Sequence, residues 1–327
     1  MPTDSVRPFV FVTGATGFIG PFAVHELKKS GFDVLCAVRR HHQHPSLVGA
    51  EFVELPDLQD LGRGLSFGSW LNAMRGAKYV VHLAAVAHVR AGASAPSELF
   101  ELVNSRASGA LARCAIEAGI DRFVYVSTAG VHGSRSVGSA LLETSPLSPH
   151  DVYTRSKLAG EIAVANALQS SRTDWVVLRP PLVFGPNPPG NLHRLCRLID
   201  AGIPLPFASI SNRRSMISVW NLADAIRVAL HDPAAARAAW LIADDQPLST
   251  PDLVSAIASA RGRASRLVPL PVNVLRWFGA LSGRRQEVSR LYEDLLLDCN
   301  QVRSKLGWAP PVSTVEGLQR AFTPTKP

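Results

Sequence analysis

Short apolar runs recur along the first half of the chain, each separated from the next by a stretch with helical spacing. Residues 8–13 (PFVFVT) read as a buried strand, and the amphipathic segment 18–30 that follows reads as a helix ended by Gly31. DVLCAV at 33–38 is the next strand, and YVVHLA (79–84), RFVYVS (122–127) and WVVLR (175–179) repeat the motif, each after a helical stretch. Near-continuous apolar strands alternating with amphipathic helices predict a parallel sheet covered on both faces, the doubly wound α/β sheet of Rossmann type. The Pro- and Gly-rich stretch 180–190 (PPLVFGPNPPG) breaks the alternation. Beyond it the pattern gives a helix near 191–201, a strand and helix over 215–231, a short strand near 239–243 and helices to the end. The expected organisation is a dinucleotide-binding domain over 1–180 and a smaller C-terminal substrate-binding lobe over 181–327, with 215–231 returning to the first domain.

Composition narrows the class. Of 327 residues, 46% are hydrophobic and 18% charged, the balance of a chain that buries a sizeable core. No apolar run reaches the ~18 residues of a membrane span. Residues 1–8 are short and polar, unlike a signal peptide, so a cytoplasmic protein is expected. The net charge of +8 comes from scattered arginines without basic runs or interleaved aromatics. An anionic cofactor and substrate account for it better than nucleic acid does. Cys36, Cys114, Cys196 and Cys299 form no CxxC pair, and the first three lie in apolar or amphipathic segments and read as small buried hydrophobes, so no metal site is expected.

The chemistry begins at Thr13-Gly14-Ala15-Thr16-Gly17-Phe18-Ile19-Gly20, directly after the first strand and at the opening of the first helix. Glycines there permit a tight turn and a close backbone approach to a pyrophosphate, and the helix end supplies free N–H donors. Gly14, Thr16, Gly17, Phe18, Ile19 and Gly20 are therefore cofactor-binding candidates. An acidic residue after the second strand would accept from the adenosine ribose and favour NAD; this chain has Arg39-Arg40. An arginine there suits the 2′-phosphate of NADP, against the alternative of a solvated basic turn. NADP is favoured, with NAD left open. Asp57, after FVEL, either accepts from the adenine amino group or simply forms a turn.

Tyr153 and Lys157 stand four residues apart, one turn apart on the same face of a helix. A phenol with a pKa near ~10 is a poor base at neutral pH. A neighbouring ammonium and a positive nicotinamide ring favour the phenolate and lower that value. Tyr153 can then exchange the proton of a hydroxyl or carbonyl while hydride moves. Ser127-Thr128 closes a parallel strand at its carboxyl end, where such sheets build their sites, and offers a hydroxyl to the reacting oxygen.

In this order, these motifs resemble the NAD-dependent epimerase/dehydratase family, the extended short-chain dehydrogenases. The resemblance runs nearly full length through VTGATGFIG (12–20), VVHLAA (80–85), FVYVSTAGVHG (123–133), YTRSK (153–157), LRPPLVFGP (178–186), RRSMISVWNLADAI (213–226) and LGW (306–308). It implies Thr128, Tyr153 and Lys157 as the catalytic set. It adds Leu58, Leu83, Ala84, Ala85, Asn104 and Pro180 to the cofactor contacts. It implies Ser127, Thr128, Asn191, Leu192, Arg214 and, more weakly, Arg290 as contacts to a nucleotide-sugar substrate, the arginines at its diphosphate. The chain departs from the family pattern at His132, Leu182, Asn221 and Arg39, which argues against a simple UDP-glucose 4-epimerase.

The implied function is hydride transfer at C4 of a UDP-sugar. The block SRLYEDLLLDCNQVRSKLGWAPPVSTVEGL is similar to a bacterial branch of 4-keto-sugar reductases serving surface polysaccharide, and with Arg39 it tips the reading to a reductase over a 4-epimerase. A ketone reductase with an apolar pocket, or a cofactor-sensing binding protein, would share the fold; the second class lacks the Tyr or Lys retained here. A homodimer is the expected assembly. The His41-His42-Gln43-His44 run reads as a solvated turn, and His82 and His88 are not promoted to site residues. The stretch 267–281 (LVPLPVNVLRWFGAL) is apolar enough for membrane contact, too short to span, and expected to be a buried helix of the second lobe.

Overall fold

The computed structural model describes residues 8–40, 47, 49–87, 97–283 and 285–324, so His41–His44 and His88 lie outside the described residues. In chain order the elements are β1 (Phe9–Thr13), α1 (Gly20–Lys29), β2 (Asp33–Val38), β3 (Glu51–Glu54), α2 (Leu58–Gly62), α3 (Phe67–Met74), β4 (Tyr79–His82), α4 (Ser97–Glu101), α5 (Ala107–Ala118), β5 (Arg122–Val126), α6 (Val152–Leu168), β6 (Asp174–Arg179) and β7 (Leu182–Phe184). They continue with α7 (Gly190–Asp200), β8 (Met216–Ser218), α8 (Val219–His231), β9 (Ala238–Leu241), α9 (Thr250–Ala260), α10 (Val272–Leu281), α11 (Arg285–Tyr292), α12 (Asn300–Leu306) and α13 (Thr314–Phe322).

Seven strands form one parallel sheet in the order β3-β2-β1-β4-β5-β6-β9. Alternate strand residues feed two cores. Val10, Val12, Val124, Val126 and Leu178 pack with α1 and α8 on one face. Phe11, Val80, Phe123, Tyr125 and Val177 pack with α3, α5 and α6 on the other. Burial on both faces is why these strands read as unbroken apolar runs rather than alternating ones. Trp240 of β9, together with Val302 and Trp308 near α12, belongs to the α1 face. The chain therefore returns to the main sheet through β9 as well as through the helix of 215–231.

A separate small core joins β7, β8, α7, α9 and α13 through Phe184, Leu192, Cys196, Met216, Ile257 and Phe322. All four cysteines are buried and free, and burial raises their thiols, Cys36, Cys114 and Cys299 to about 12. The stretch 267–281 departs from expectation. Only Leu275 and Gly279 of α10 are buried, while Trp277, Phe278 and Leu281 are 58%, 56% and 70% exposed. Its apolar residues outnumber those one buried stripe can take, so a second stripe faces outward. No helix among the described residues is long and apolar enough to cross a membrane.

Candidate active site

Strand order reverses between β1 and β4, and their carboxyl ends diverge into the crevice where doubly wound sheets bind ligands. After Thr13 the chain turns at Gly14, with φ +75°. A Cβ on Gly14 would lie 2.5 Å from the amide nitrogen of Ala84 and 2.8 Å from its Cα, so only glycine lets this loop rest on the Leu83–Ala84 backbone after β4. The approach is fastened by Leu83 N–H donating to the Thr13 carbonyl at 3.1 Å. Ala85 is exposed one residue further on. Thr16 and Gly17 are exposed, Phe18 and Ile19 half-buried, and Gly20 is pressed onto the Ala15 carbonyl. α1 starts after Ile19 without a side-chain cap, so its positive dipole end is open to an anion, although Pro21 has no N–H and Phe22 N–H already donates to the Ile19 carbonyl. This cradle fits a dinucleotide pyrophosphate.

Arg39 and Arg40 are exposed beyond β2. Arg39 reaches Asp57 at 3.4 Å, while the other carboxylate oxygen of Asp57 accepts from Gln59 N–H at 2.8 Å and caps α2 ahead of Leu58. The turn-forming reading accounts for the carboxylate of Asp57.

At the other end of the crevice, Asn104 lies in a π-helical turn over Leu102–Arg106, a bulge that turns one side chain inward. Fully buried, it bonds both backbone groups of Val86 and donates to Ser156 at 2.9 Å, tying the loop after β4 to α6. His82 is equally buried, held between Thr13 and Ser108 at 2.6 and 2.9 Å, and burial drives its pKa down to about 3. It is a neutral structural histidine. Pro180 is buried, its carbonyl accepting from Ala129 N–H at 2.8 Å.

The candidate reacting groups lie where β5 ends and α6 begins. Asp151 caps α6 in a reciprocal capping box with Thr154, which sets the helix phase. Thr128 Oγ1 accepts from Gly130 N–H at 3.1 Å and still has a proton to donate. Ser127 Oγ is buried with no hydrogen-bond partner among the described residues. An orphaned hydroxyl at a strand's carboxyl end calls for an outside partner. Lys157 is buried beneath, its ammonium 4.0 Å from the Tyr125 ring centroid, and burial lowers its pKa to about 7. Burial, then the Asp151 carboxylate, pushes the half-buried Tyr153 phenol up to about 12. A phenol lowered by its lysine neighbour is thus not what the protein groups alone produce. Burial opposes the charged form of each, raising the phenol and lowering the ammonium.

Under this site lies a network that no motif announces. Arg179 forks onto Glu161 at 2.6–3.2 Å and donates to His132 Nε2 at 3.0 Å, all three buried. His132 Nδ1 in turn lies 3.0 Å from the Ser145 carbonyl. His132, one of the departures noted above, completes an arginine's bonding in the core.

The substrate candidates converge from three segments. Residues 293–298 run between the loop after β5 and the 213–215 backbone, with Leu295 bonded to Arg213 and Ser215, and Leu296 to Leu141. Arg214 donates to the Glu293 carbonyl at 2.9 Å; burial lowers its pKa to about 10, and Arg290 adds to the shift. Arg290 donates to Asp151 at 3.1 Å and meets His150 Nε2 at 3.0 Å. Arg290 thus sits at the cap of the helix carrying Tyr153, and its charge acts on the buried Arg214. His150 was missed because a histidine before a cap residue carries no sequence signature. Asn191 is exposed in the first turn of α7, while the Leu192 side chain belongs to the small core. Among the described residues no cluster of three or more His, Cys, Asp or Glu could hold a metal.

The chain is 33% identical over 315 residues to a UDP-glucose 4-epimerase of Vibrio cholerae, covering 95% of this chain and 93% of that one. Among solved structures it resembles a UDP-glucose 4-epimerase of Thermotoga maritima bound to UDP-glucose (TM-score 0.75, 21% identity, 96% and 97% covered). It also resembles the Bordetella bronchiseptica enzyme WbmG in complex with NAD (TM-score 0.75, 18% identity, 98% and 94% covered). The sequence pattern of the NAD dependent epimerase/dehydratase family matches residues 10–243, spanning the glycine loop, the strand-end hydroxyls and the Tyr153/Lys157 helix. On that match the chain belongs to the NAD-dependent epimerase/dehydratase family, as an NAD(P)-dependent enzyme of the extended short-chain dehydrogenase type.

Proposed function

We propose that this enzyme transfers hydride at C4 of a UDP-linked sugar, acting as a 4-keto-sugar reductase with NADP as its preferred dinucleotide. The observation that carries the reading is that Arg290 lies at the cap of the Tyr153 helix, on Asp151, close enough for its charge to act on the buried Arg214, two guanidinium groups suited to a diphosphate. When bound, the dinucleotide supplies the hydride and, once oxidised, a positively charged ring. Tyr153 holds or returns the proton of the sugar oxygen, and Thr128 donates a hydrogen bond to it. Ser127 gives that oxygen a second hydroxyl contact. Lys157 holds the ribose hydroxyls and, when protonated, lowers the cost of a phenolate. Asn104 and Pro180 shape the nicotinamide end. Arg39 lies where a 2′-phosphate reader belongs, which supports NADP and, with it, a one-way reduction using exchangeable cofactor.

A second reading, C4 epimerisation with retained NAD, is favoured by the 33% identity to the Vibrio cholerae protein. The deciding experiment offers purified enzyme a UDP-4-keto-6-deoxy-hexosamine with NADPH or NADH, and separately UDP-glucose. Stoichiometric NADPH consumption with the keto sugar supports the reductase. Interconversion of UDP-glucose and UDP-galactose without net cofactor turnover overturns it. Arg39→Ala should weaken NADPH far more than NADH; equal weakening removes the NADP argument. Our reading places the enzyme in the cytoplasm as a homodimer, a state that sedimentation measures.

A further inference from the structure

The helix α10 carries a feature the reaction does not use. Val274, Trp277, Phe278 and Leu281 recur at i, i+3, i+4 and i+7, the spacing of one helical stripe. This is not the stripe that packs. Leu275 and Gly279 face inward, and Val288 of α11 lies where a Cβ on Gly279 would be, 2.9 Å from its own Cβ. Trp277 and Phe278 stack edge to face, centroids 5.3 Å apart, and stand exposed beside Leu281. Val268, in the segment leading into α10, is also exposed, at 41%. Large side chains left bare on one face mark a contact surface.

The surrounding charge says what the contact is. Residues 261–290 contain seven arginines (261, 263, 266, 276, 284, 285 and 290) and one acidic residue, Glu287. Their formal balance of +6 supplies most of the chain's +8, so the positive charge is concentrated in this stretch rather than scattered as the sequence reading expected. Arg261 and Arg290 are neutralised by Asp200 and Asp151. Arg263, Arg266, Arg276 and Arg285 are exposed and, among the described residues, make no ion pair with a carboxylate; Arg263 lies near Asp200, Arg266 donates to the Gly202 carbonyl and Arg276 sits over the Tyr292 ring. A tryptophan and a phenylalanine on one face of a short helix, within an arginine-rich stretch of the chain, combine apolar insertion with attraction to anionic headgroups. The helix is too short to span and long enough to lie in the interface.

We propose that α10 docks the second lobe onto an anionic lipid surface, with Trp277, Phe278 and Leu281 inserted at headgroup depth and the neighbouring arginines against the phosphates. The proposal is independent of which sugar the enzyme takes.

The test is co-sedimentation of the full-length protein with vesicles of pure phosphatidylcholine and of phosphatidylcholine containing phosphatidylglycerol. Binding is expected to the phosphatidylglycerol vesicles and to fall steeply with added salt. The double variant Trp277→Ser/Phe278→Ser should partition at least tenfold less. Arg263→Gln and Arg266→Gln should each lower binding to the anionic vesicles about fivefold at low salt. Vesicles carrying brominated lipid should quench part of the wild-type tryptophan fluorescence, and Trp277→Phe should remove that quenching. Unchanged melting and dinucleotide titration show that the variants are folded. Equal partitioning of wild type and double variant overturns the proposal. So does absence of binding to phosphatidylglycerol vesicles, or a double variant that changes only oligomeric state, which would make this face a contact between copies of the chain.

Discussion

Asn221→Asp should destabilise this protein. Asn221 is fully buried in the first turn of α8. Its amide nitrogen donates to Asp244 Oδ1 and to the Val312 carbonyl, both at 2.7 Å, and its oxygen accepts from Val312 N–H at 2.9 Å. Asp244 also accepts from Ser218 N–H at 3.0 Å. Aspartate would replace that donor by an acceptor, turning two bonds into close oxygen–oxygen contacts. Each buried acceptor left unsatisfied costs about 1–3 kcal/mol, so the loss should be about 4 kcal/mol when both carboxyls tend to ionise. The pH dependence has a definite sign. Burial raises Asp244 from 3.8 to about 7, so its contribution is full below the unfolded value and is lost as pH rises through about 7. In the variant, one proton shared between the two carboxyls replaces part of the lost bonding at low pH, and that proton leaves as pH rises. Urea unfolding at about pH 5.5 and about pH 8 measures both effects. A loss below about 1 kcal/mol at the higher pH, or the same loss at both, would refute the reasoning.

Tyr153→Phe should lower turnover by about 10²–10⁴-fold with dinucleotide binding retained, measured by steady-state kinetics and fluorescence titration; near-normal turnover removes Tyr153 from the reaction. Ser127→Ala should leave thermal stability unchanged or raised, because its hydroxyl has no internal partner, while slowing the reaction about tenfold; a drop in melting temperature would contradict this. Glu161→Gln should cost about 3–5 kcal/mol in denaturant unfolding by leaving the Arg179 charge uncompensated in the core. Lys157→Met should abolish activity yet stabilise the apoprotein. Burial sets the folded pKa of Lys157 near 7 against 10.5, so wild-type stability rises with pH across that window. The variant's advantage should therefore shrink from about pH 6 to about pH 9, and an advantage that grows would reverse the assignment.

Strands buried on both faces write themselves as apolar runs, and all six of the strands read at 8–13, 33–38, 79–84, 122–127, 175–179 and 239–243 lie in one parallel sheet. Gly14 was legible because a φ of +75° against the Ala84 backbone admits no other residue, and Tyr153/Lys157 because four residues make one helical turn. The family resemblance named Arg214 and Arg290 separately. That Arg290 reaches Asp151 while Arg214 bonds the Glu293 carbonyl depends on residues 293–298 threading between two loops, which no local pattern encodes. The direction of the Tyr153 shift also waited for the fold, because burial is summed over every neighbour in space, whereas a sequence shows only neighbours along the chain. The same limit misled the reading of 267–281: an apolar helix and a buried one have the same composition, and only packing shows which stripe of α10 is covered. Sequence alone determined the sheet, the glycine turn after β1 and the placing of Tyr153 and Lys157 one turn apart on a helix, which rest on local geometry. Tertiary structure decided what each charge faces and which surface is left bare, since both are set by segments distant in the chain.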